Sequence, residues 1–146
     1  YWDGGYTGNP SLFPLFYDCA SEDIILVQIN PLHVEEVPVK AADILDRVNE
    51  ISFNAGLMGE IRAIDFVHKL LEENKVSDKR YKNVKLHLIE AQELMQALGS
   101  SSKLNAEWNF LQHLRDIGRQ AASDWLDAHY DDIGERGSVD LKSVFL

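Results

Sequence analysis

The chain is short of cysteine and of basic residues, and it has no long apolar run. Cys19 stands alone and cannot form a disulfide within the chain. A lone thiol is typical of a reducing compartment, so we predict a cytoplasmic protein. Fourteen Lys and Arg against 24 Asp and Glu give a formal net charge of −10. Nucleic-acid binding depends on cations that neutralise phosphates, so we expect no nucleic-acid partner, and the missing apolar run predicts no transmembrane segment.

Several motifs that carry chemistry are also absent. The chain has no Gly-x-Ser-x-Gly, which holds the nucleophile of many serine hydrolases, and no Walker phosphate loop. Asp3, Thr7 and Asn9 do not fit an EF-hand calcium loop. The histidines show no spacing suited to zinc, and they are His33, His68, His87, His113 and His129. We therefore predict no metal site, no cofactor and no complete Ser-His-Asp triad within these residues.

Length and composition predict an ordinary globular domain. A chain of 146 residues is long enough for one domain that buries roughly two-thirds of its unfolded surface. Its 45% hydrophobic and 26% charged residues are typical of a folded protein rather than a disordered one. No second domain is needed to account for the chain.

The most distinctive stretch is residues 2–10, with the sequence WDGGYTGNP. It sets one carboxylate, Asp3, directly before Gly4 and Gly5. Glycine takes backbone angles closed to other residues and lets a ligand or another segment approach closely. The stretch has two interpretations that the local residues do not separate: an ordinary Asp-Gly turn, or a backbone held tightly beside a functional carboxylate.

Two strands are predicted. Residues 24–29 form a nearly continuous apolar run of β-branched residues, which is typical of a strand buried on both faces of a parallel sheet. Residues 84–89 alternate in polarity and predict a half-exposed or edge strand. A strand buried on both faces needs more neighbours than one edge strand provides, so we expect residues outside this chain to complete the sheet.

The remaining segments are mostly helical. Residues 40–74 carry helical periodicity in two sets, either as two helices or as one with a weak point near Gly56 and Gly59. Residues 11–17 predict a short helix or a packed loop. Asn105 is a candidate cap for a helix over residues 108–117, and residues 121–129 either continue that helix or form another segment. Short helical and loop segments are expected at residues 90–98 and 99–102. We expect the apolar stripes of both long helices to lie in the core.

Polar side chains interrupt the first half of the long helical segment. They are Arg47, Asn49, Glu50 and Asn54. Buried amides and charges need hydrogen-bond partners, so this set either supports the Asp3 stretch or forms an exposed helix face. A second polar group, His129 with Asp131 and Asp132, has the appearance of a solvated helix end.

With these residues in view, the chain resembles the C-terminal half of the bacterial patatin-like phospholipases. The resemblance rests on residues 2–10, followed by Leu15 and residues 25–31 (ILVQINP). Residues 44–54 (ILDRVNEISFN), 84–89 (VKLHLI) and 108–140 are also similar, so the match spans nearly the whole chain. It implies the C-terminal portion of a three-layer α/β/α fold, mostly helical here, with one buried and one edge strand.

The resemblance also implies an activity. Patatin-like enzymes hydrolyse acyl esters of lipids with a Ser-Asp dyad, and the family's Asp-Gly-Gly motif corresponds to Asp3, Gly4 and Gly5. Asp3 would accept the proton of the attacking serine. The family's Gly-x-Ser-x-Gly and its glycine-rich oxyanion loop are missing, so we expect an N-terminal half to supply both and this chain alone to be inactive. The implied substrate is a lipid or acyl ester, met transiently at a membrane surface.

Two other functions stay open. One is a non-catalytic binding or regulatory module that keeps the family scaffold. The other treats residues 3–8 as a phosphate-binding turn like that of actin-like sugar kinases, although Pro10 and Pro14 replace the hairpin that such a turn normally occupies.

Overall fold

A computed structural model of the chain describes residues 1, 3–6, 8–34, 37–77, 80–98, 102 and 104–146. Two strands and five α-helices are numbered in chain order, with short 3-10 turns at Gly4–Tyr6 and Tyr130–Asp132. They are α1 (Phe13–Asp18), β1 (Asp23–Gln28), α2 (Ala41–Glu72), β2 (Lys85–Glu90), α3 (Gln92–Gln96), α4 (Trp108–His129) and α5 (Leu141–Phe145). The loop predicted at residues 99–102 lies mostly outside the described residues.

The centre of the fold is a β1–α2–β2 unit. The two strands pair in parallel, from Asp23 opposite Lys85 to Gln28 opposite Glu90. Parallel strands require a long crossover connection, and α2 supplies it. The chain therefore belongs to the mixed α/β class, as the sequence predicts at that level.

Helices pack on both faces of this small sheet. Successive strand residues point to opposite faces. Ile24, Leu26 and Leu86 face the core cluster formed with Leu57 and Ile61 of α2; α5 adds Leu141 and Phe145 to the same cluster. On the other face, the ring of His87 meets Trp125 of α4 edge-on at a centroid distance of 5.5 Å. The sheet thus lies between α2 with α5 on one side and α4 on the other.

In the described part of the chain β1 is buried on one face only and not on both as predicted, whereas β2 is an edge strand of the two-strand sheet as predicted. On β1, Ile25 and Val27 are 48% and 62% exposed, because α4 packs against β2 and leaves this face of β1 uncovered. On β2, Leu86 and His87 are buried, and the backbone N–H of Ser138 donates to the Leu86 carbonyl at 3.1 Å. The strand expected to be at the edge is therefore the better covered one.

The helix α2 is a single continuous helix of 32 residues without a break at its glycines. Its second half supplies the core residues Leu57, Ile61 and Ile64. The prediction that the first half of α2 carries a core stripe is wrong, because Ile44, Val48 and Ile51 are exposed. The same correction applies to Trp108, Leu111 and Leu126 of α4. Apolar side chains are therefore exposed on both long helices as well as on one face of β1.

The segment at residues 11–17 adopts the helical alternative. Pro14 lies in the first turn of α1, where its missing N–H costs no hydrogen bond. The backbone N–H groups of Leu12 and Phe13 donate to one carboxylate oxygen of Glu60. A side chain of α2 therefore caps the N-terminus of α1. The helix predicted after Asn105 begins at Trp108, and Asn105 accepts from the Glu107 N–H at 2.9 Å instead of capping it.

None of the described helices combines the length and the apolar character that a membrane-spanning helix needs.

Candidate functional site

Asp3 lies at the surface, and its side chain forms a tight turn with the backbone that follows it. Its Oδ1 accepts a hydrogen bond from the Gly5 N–H at 2.8 Å, which is the geometry of an Asx turn. The Gly8 N–H then donates to the Gly4 carbonyl at 3.0 Å and closes the loop. We call residues 3–10 the Asp3 loop; Trp2 and Thr7 lie outside the described residues. The turn interpretation is thus confirmed. The hydrogen bond that forms the turn uses Oδ1 of Asp3 and not Oδ2.

The two glycines after Asp3 have different steric surroundings. A Cβ on Gly5 would lie 3.1 Å from Asp3 Oδ1 and 3.2 Å from Phe53 Cε1 of α2. A Cβ on Gly4 would meet nothing within 4 Å. Gly5 is therefore the glycine that lets the carboxylate and α2 approach each other, while Gly4 does not serve that purpose in this fold.

The Asp3 loop lies near the carboxyl end of β1. Asn9 and Pro10 line a cavity together with residues 27–30, which are the last strand residues and the turn that follows them. The 3-10 turn at Gly4–Tyr6 contacts α2, the helix that follows this strand. In open α/β sheets, ligands bind outside the carboxyl ends of the strands, so the loop occupies the edge of the sheet where such sites are found.

The polar residues of α2 do not bind the Asp3 carboxylate. Asn54 donates to the Pro31 carbonyl at 3.1 Å and accepts from Gln28 at 3.3 Å. Arg47 pairs with Glu50 at 3.1 Å and reaches the carbonyl of Leu32. These contacts hold the segment that follows β1 against α2. Three members of the set are thus at least partly buried and bonded, whereas Asn49 is exposed.

A hydrogen-bonded chain of Asp23, His87 and Ser138 lies near the opposite, amino end of the strands. His87 Nε2 lies 3.1 Å from Asp23 Oδ1, and His87 Nδ1 lies 3.2 Å from Ser138 Oγ. Because an ionised Asp23 only accepts, Nε2 must carry a proton, and in the neutral ring Nδ1 accepts from the serine hydroxyl. The sequence did not predict this group, since its members come from β1, β2 and the loop before α5.

These residue types are those of a catalytic triad, but their surroundings fit a structural role. His87 is completely buried. The polar cavity nearby is lined by Gly137 and Val139 and not by Ser138. Asp23 also accepts the backbone N–H of Gly134 at 2.8 Å. The chain of hydrogen bonds therefore fastens the loop at residues 134–138 to the start of both strands.

The His129 group is more ordered than its sequence suggests. Asp132 is 8% exposed, and its two oxygens pair with His129 at 2.9 Å and Arg136 at 2.6 Å. The hydrogen bond from His129, followed by the charge of Arg136, lowers the pKa of the Asp132 carboxyl. The expectation of a merely solvated helix end is wrong for Asp132, whereas Asp131 is exposed.

The Asp23 carboxylate makes stability depend on pH. The Gly134 N–H, then His87 and Lys85, lower the pKa of Asp23 below its ordinary value against the opposing effect of burial. A lowered folded-state pKa contributes stability above the unfolded pKa, and this contribution is lost as pH falls below about 4. We expect Asp23→Asn to lose less unfolding free energy than the parent between pH 6 and pH 3, measured by urea denaturation. Equal losses in both proteins would contradict this role of Asp23.

The described residues contain no group of three or more His, Cys, Asp or Glu side chains that could hold a metal ion. The cavity beside the Asp3 loop is lined by the amide side chains of Asn9, Gln28 and Asn30 together with Pro10, Val27 and Ile29.

Comparisons with known proteins identify no relative. No protein-family model matches the chain, and neither the curated proteins nor the solved structures give a significant match.

Proposed function

We propose that this chain is the C-terminal part of a patatin-like serine acyl hydrolase that contributes the proton-accepting aspartate and not the nucleophile. The observation that carries the proposal is the uncovered apolar face of β1 beside the Asp3 loop. A missing half of the domain would cover that face and bring its serine to the carboxyl end of the same strand.

The surface of β1 supports the need for further elements. Ile25, Val27 and Ile29 are 48%, 62% and 63% exposed, although such residues normally pack against another layer. In the described part of the chain β1 pairs with β2 alone. A further strand on the open edge of β1, with a helix above it, would extend the two-strand unit into a three-layer α/β/α sheet.

The Asp3 loop supports the assigned chemistry. The turn uses Oδ1 of Asp3, and we assign proton acceptance to Oδ2. In the proposed reaction, the serine oxygen attacks the ester carbonyl while its proton passes to Asp3. Backbone N–H groups of the missing half would stabilise the oxyanion. The proton then goes to the leaving alcohol, and water hydrolyses the acyl-enzyme in the same way.

The substrate class proposed is a lipid or another acyl ester, reached from the cytoplasm at a membrane surface. The exposed aromatic residues of α1 support contact with lipid. Phe13 and Tyr17 are 60% and 62% exposed, and their ring centroids lie 4.7 Å apart. Amphipathic and apolar rings of this kind favour the interface between lipid and water.

A second candidate is a non-catalytic binding or regulatory module on the same scaffold. The hydrogen bond from the Gly5 N–H to Asp3 favours it, because the carboxylate already has a structural use in the turn. This candidate predicts no hydrolysis by any form of the protein.

Ester hydrolysis tests the proposal. We expect the 146-residue chain to give no turnover of short-chain nitrophenyl esters above buffer. A polypeptide that also contains the residues preceding Tyr1 is expected to turn them over. Turnover by the chain alone that is abolished in Asp3→Ala would contradict a missing nucleophile, and inactivity of the longer protein would favour the non-catalytic module.

A further inference from the structure

The helix α1, the second half of α2 and the segment before β2 enclose a cleft of about 310 Å³, which we call the α1 cleft. Four of its lining residues are aromatic, and they are Phe13, Phe16, Tyr17 and Tyr81. Two cations, Arg80 and Lys82, also line it. We propose that the α1 cleft binds a small aromatic carboxylate, with the ring among the aromatic side chains and the carboxylate at Arg80. The proposal does not rest on the proposed hydrolase, because it involves neither Asp3 nor the uncovered face of β1.

The α1 cleft is separate from the Asp3 loop. Val84 lines the cleft and directly precedes β2. Lys82 donates to the carbonyls of Cys19 and Ser21, which connect α1 with the start of β1. The cleft therefore lies towards the amino ends of the strands, whereas the Asp3 loop lies near the carboxyl end of β1.

The lining of the cleft favours a flat aromatic ring. Phe13 and Tyr17 have ring centroids 4.7 Å apart and form a tilted pair. Aromatic rings in offset or tilted arrangements attract one another beyond the burial of their area. Ile64 and Val84 are buried and provide an aliphatic part of the lining. An apolar cavity of about 150 Å³ holds benzene, so the α1 cleft has room for two fused rings.

The charges at the cleft favour an anion. The Arg80 guanidinium lies 6.0 Å from the centroid of the Tyr81 ring, and it makes no ion pair within the described part of the chain. Among the described lining residues Glu60 is the one acid. One of its oxygens already accepts two backbone N–H groups at the start of α1, which offsets part of its charge. Two cations against one carboxylate distinguish the cleft from the whole chain, which has a net charge of −10.

Two variants test the charge and the space separately, and the chain offers a matched control for each. Arg80→Gln removes the charge that we assign to the ligand carboxylate. Ala63 lines the cleft on α2, so Ala63→Phe places a ring in the space that we assign to the ligand. Arg119 and Ala55 are exposed and do not line the cleft. Arg119→Gln and Ala55→Phe therefore make the same chemical changes away from the proposed site.

The test is methyl NMR of the 146-residue chain titrated with 2-naphthoate, 2-naphthalenemethanol, 2-naphthylmethylamine and decanoate. We expect saturable shifts of the Ile64, Val67 and Val84 methyls, with 2-naphthoate binding most tightly of the four. Arg80→Gln should weaken 2-naphthoate binding at least about threefold and leave binding of the alcohol within about twofold. Ala63→Phe should weaken binding of both at least about tenfold, and the two control variants should leave both within about twofold.

Three results would overturn the proposal. They are equal 2-naphthoate affinity in Arg80→Gln and the parent, binding of the amine or of decanoate as tight as that of 2-naphthoate, and shifts confined to Ile29 and Ile89 in the separate cavity beside α4. Circular dichroism and urea unfolding establish which variants fold, and the exposed Arg80→Gln decides the result if Ala63→Phe does not. Because binding is measured without turnover, failure of the Asp3 chemistry would leave this result intact, and failure of binding would leave the Asp3 test intact.

Discussion

Asp3→Asn is expected to slow ester hydrolysis by the longer polypeptide about 10²–10⁴-fold, the usual contribution of a positioned general base. The amide cannot accept the serine proton, but its Oδ1 still accepts the Gly5 N–H and keeps the Asx turn. The unfolding free energy should therefore change by less than about 0.5 kcal/mol. Initial rates with nitrophenyl esters and urea denaturation of the same samples measure the two effects.

Asp3→Ala is the companion variant for this prediction. It removes both the base and the acceptor for Gly5, so it should lose activity and also loosen the loop. Full activity of Asp3→Asn would contradict the assigned role of the carboxylate. An activity loss in Asp3→Ala alone would show that the turn, and not proton transfer, is what the reaction requires.

His87→Ala is expected to lower the unfolding free energy by about 3–5 kcal/mol, which is the range for truncating a large buried ring to alanine. The ring is completely buried. Its loss leaves a cavity beside Trp125 and takes one partner from Asp23 and another from Ser138. Urea denaturation at pH 7 measures the change.

His113→Ala is the control for His87→Ala. His113 is exposed on α4, and substitutions at such positions usually change stability by no more than about 0.5 kcal/mol. A loss below about 1 kcal/mol in His87→Ala, or equal losses in both variants, would contradict the structural role of the Asp23–His87–Ser138 chain.

Local sequence was sufficient to place the strands and the long helices. The β-branched run at residues 24–29 predicts β1 to within one residue of Asp23–Gln28, and alternation predicts β2 equally well. Burial was not predictable in this way. Whether Ile25 and Val27 are covered depends on where α4 packs, and α4 lies over β2. Periodicity shows which residues share a face, but not what lies opposite that face.

The same limit applies to the sites. The turn at Asp3 depends on residues two apart and is readable from the Asp-Gly-Gly sequence. His87 meets Asp23 and Ser138 across 64 and 51 residues. No local pattern encodes those contacts, because the parallel pairing of β1 with β2 creates them.

The central claim is that this chain holds the base while the nucleophile lies outside it. The most direct test is to treat the longer polypeptide with a fluorophosphonate, which forms a stable adduct with activated serines, and to locate the adduct by peptide mass spectrometry. We expect one modified serine in the residues preceding Tyr1 and much slower labelling in Asp3→Asn. Stoichiometric modification of Ser138, or of any other serine within the 146 residues, would contradict the account.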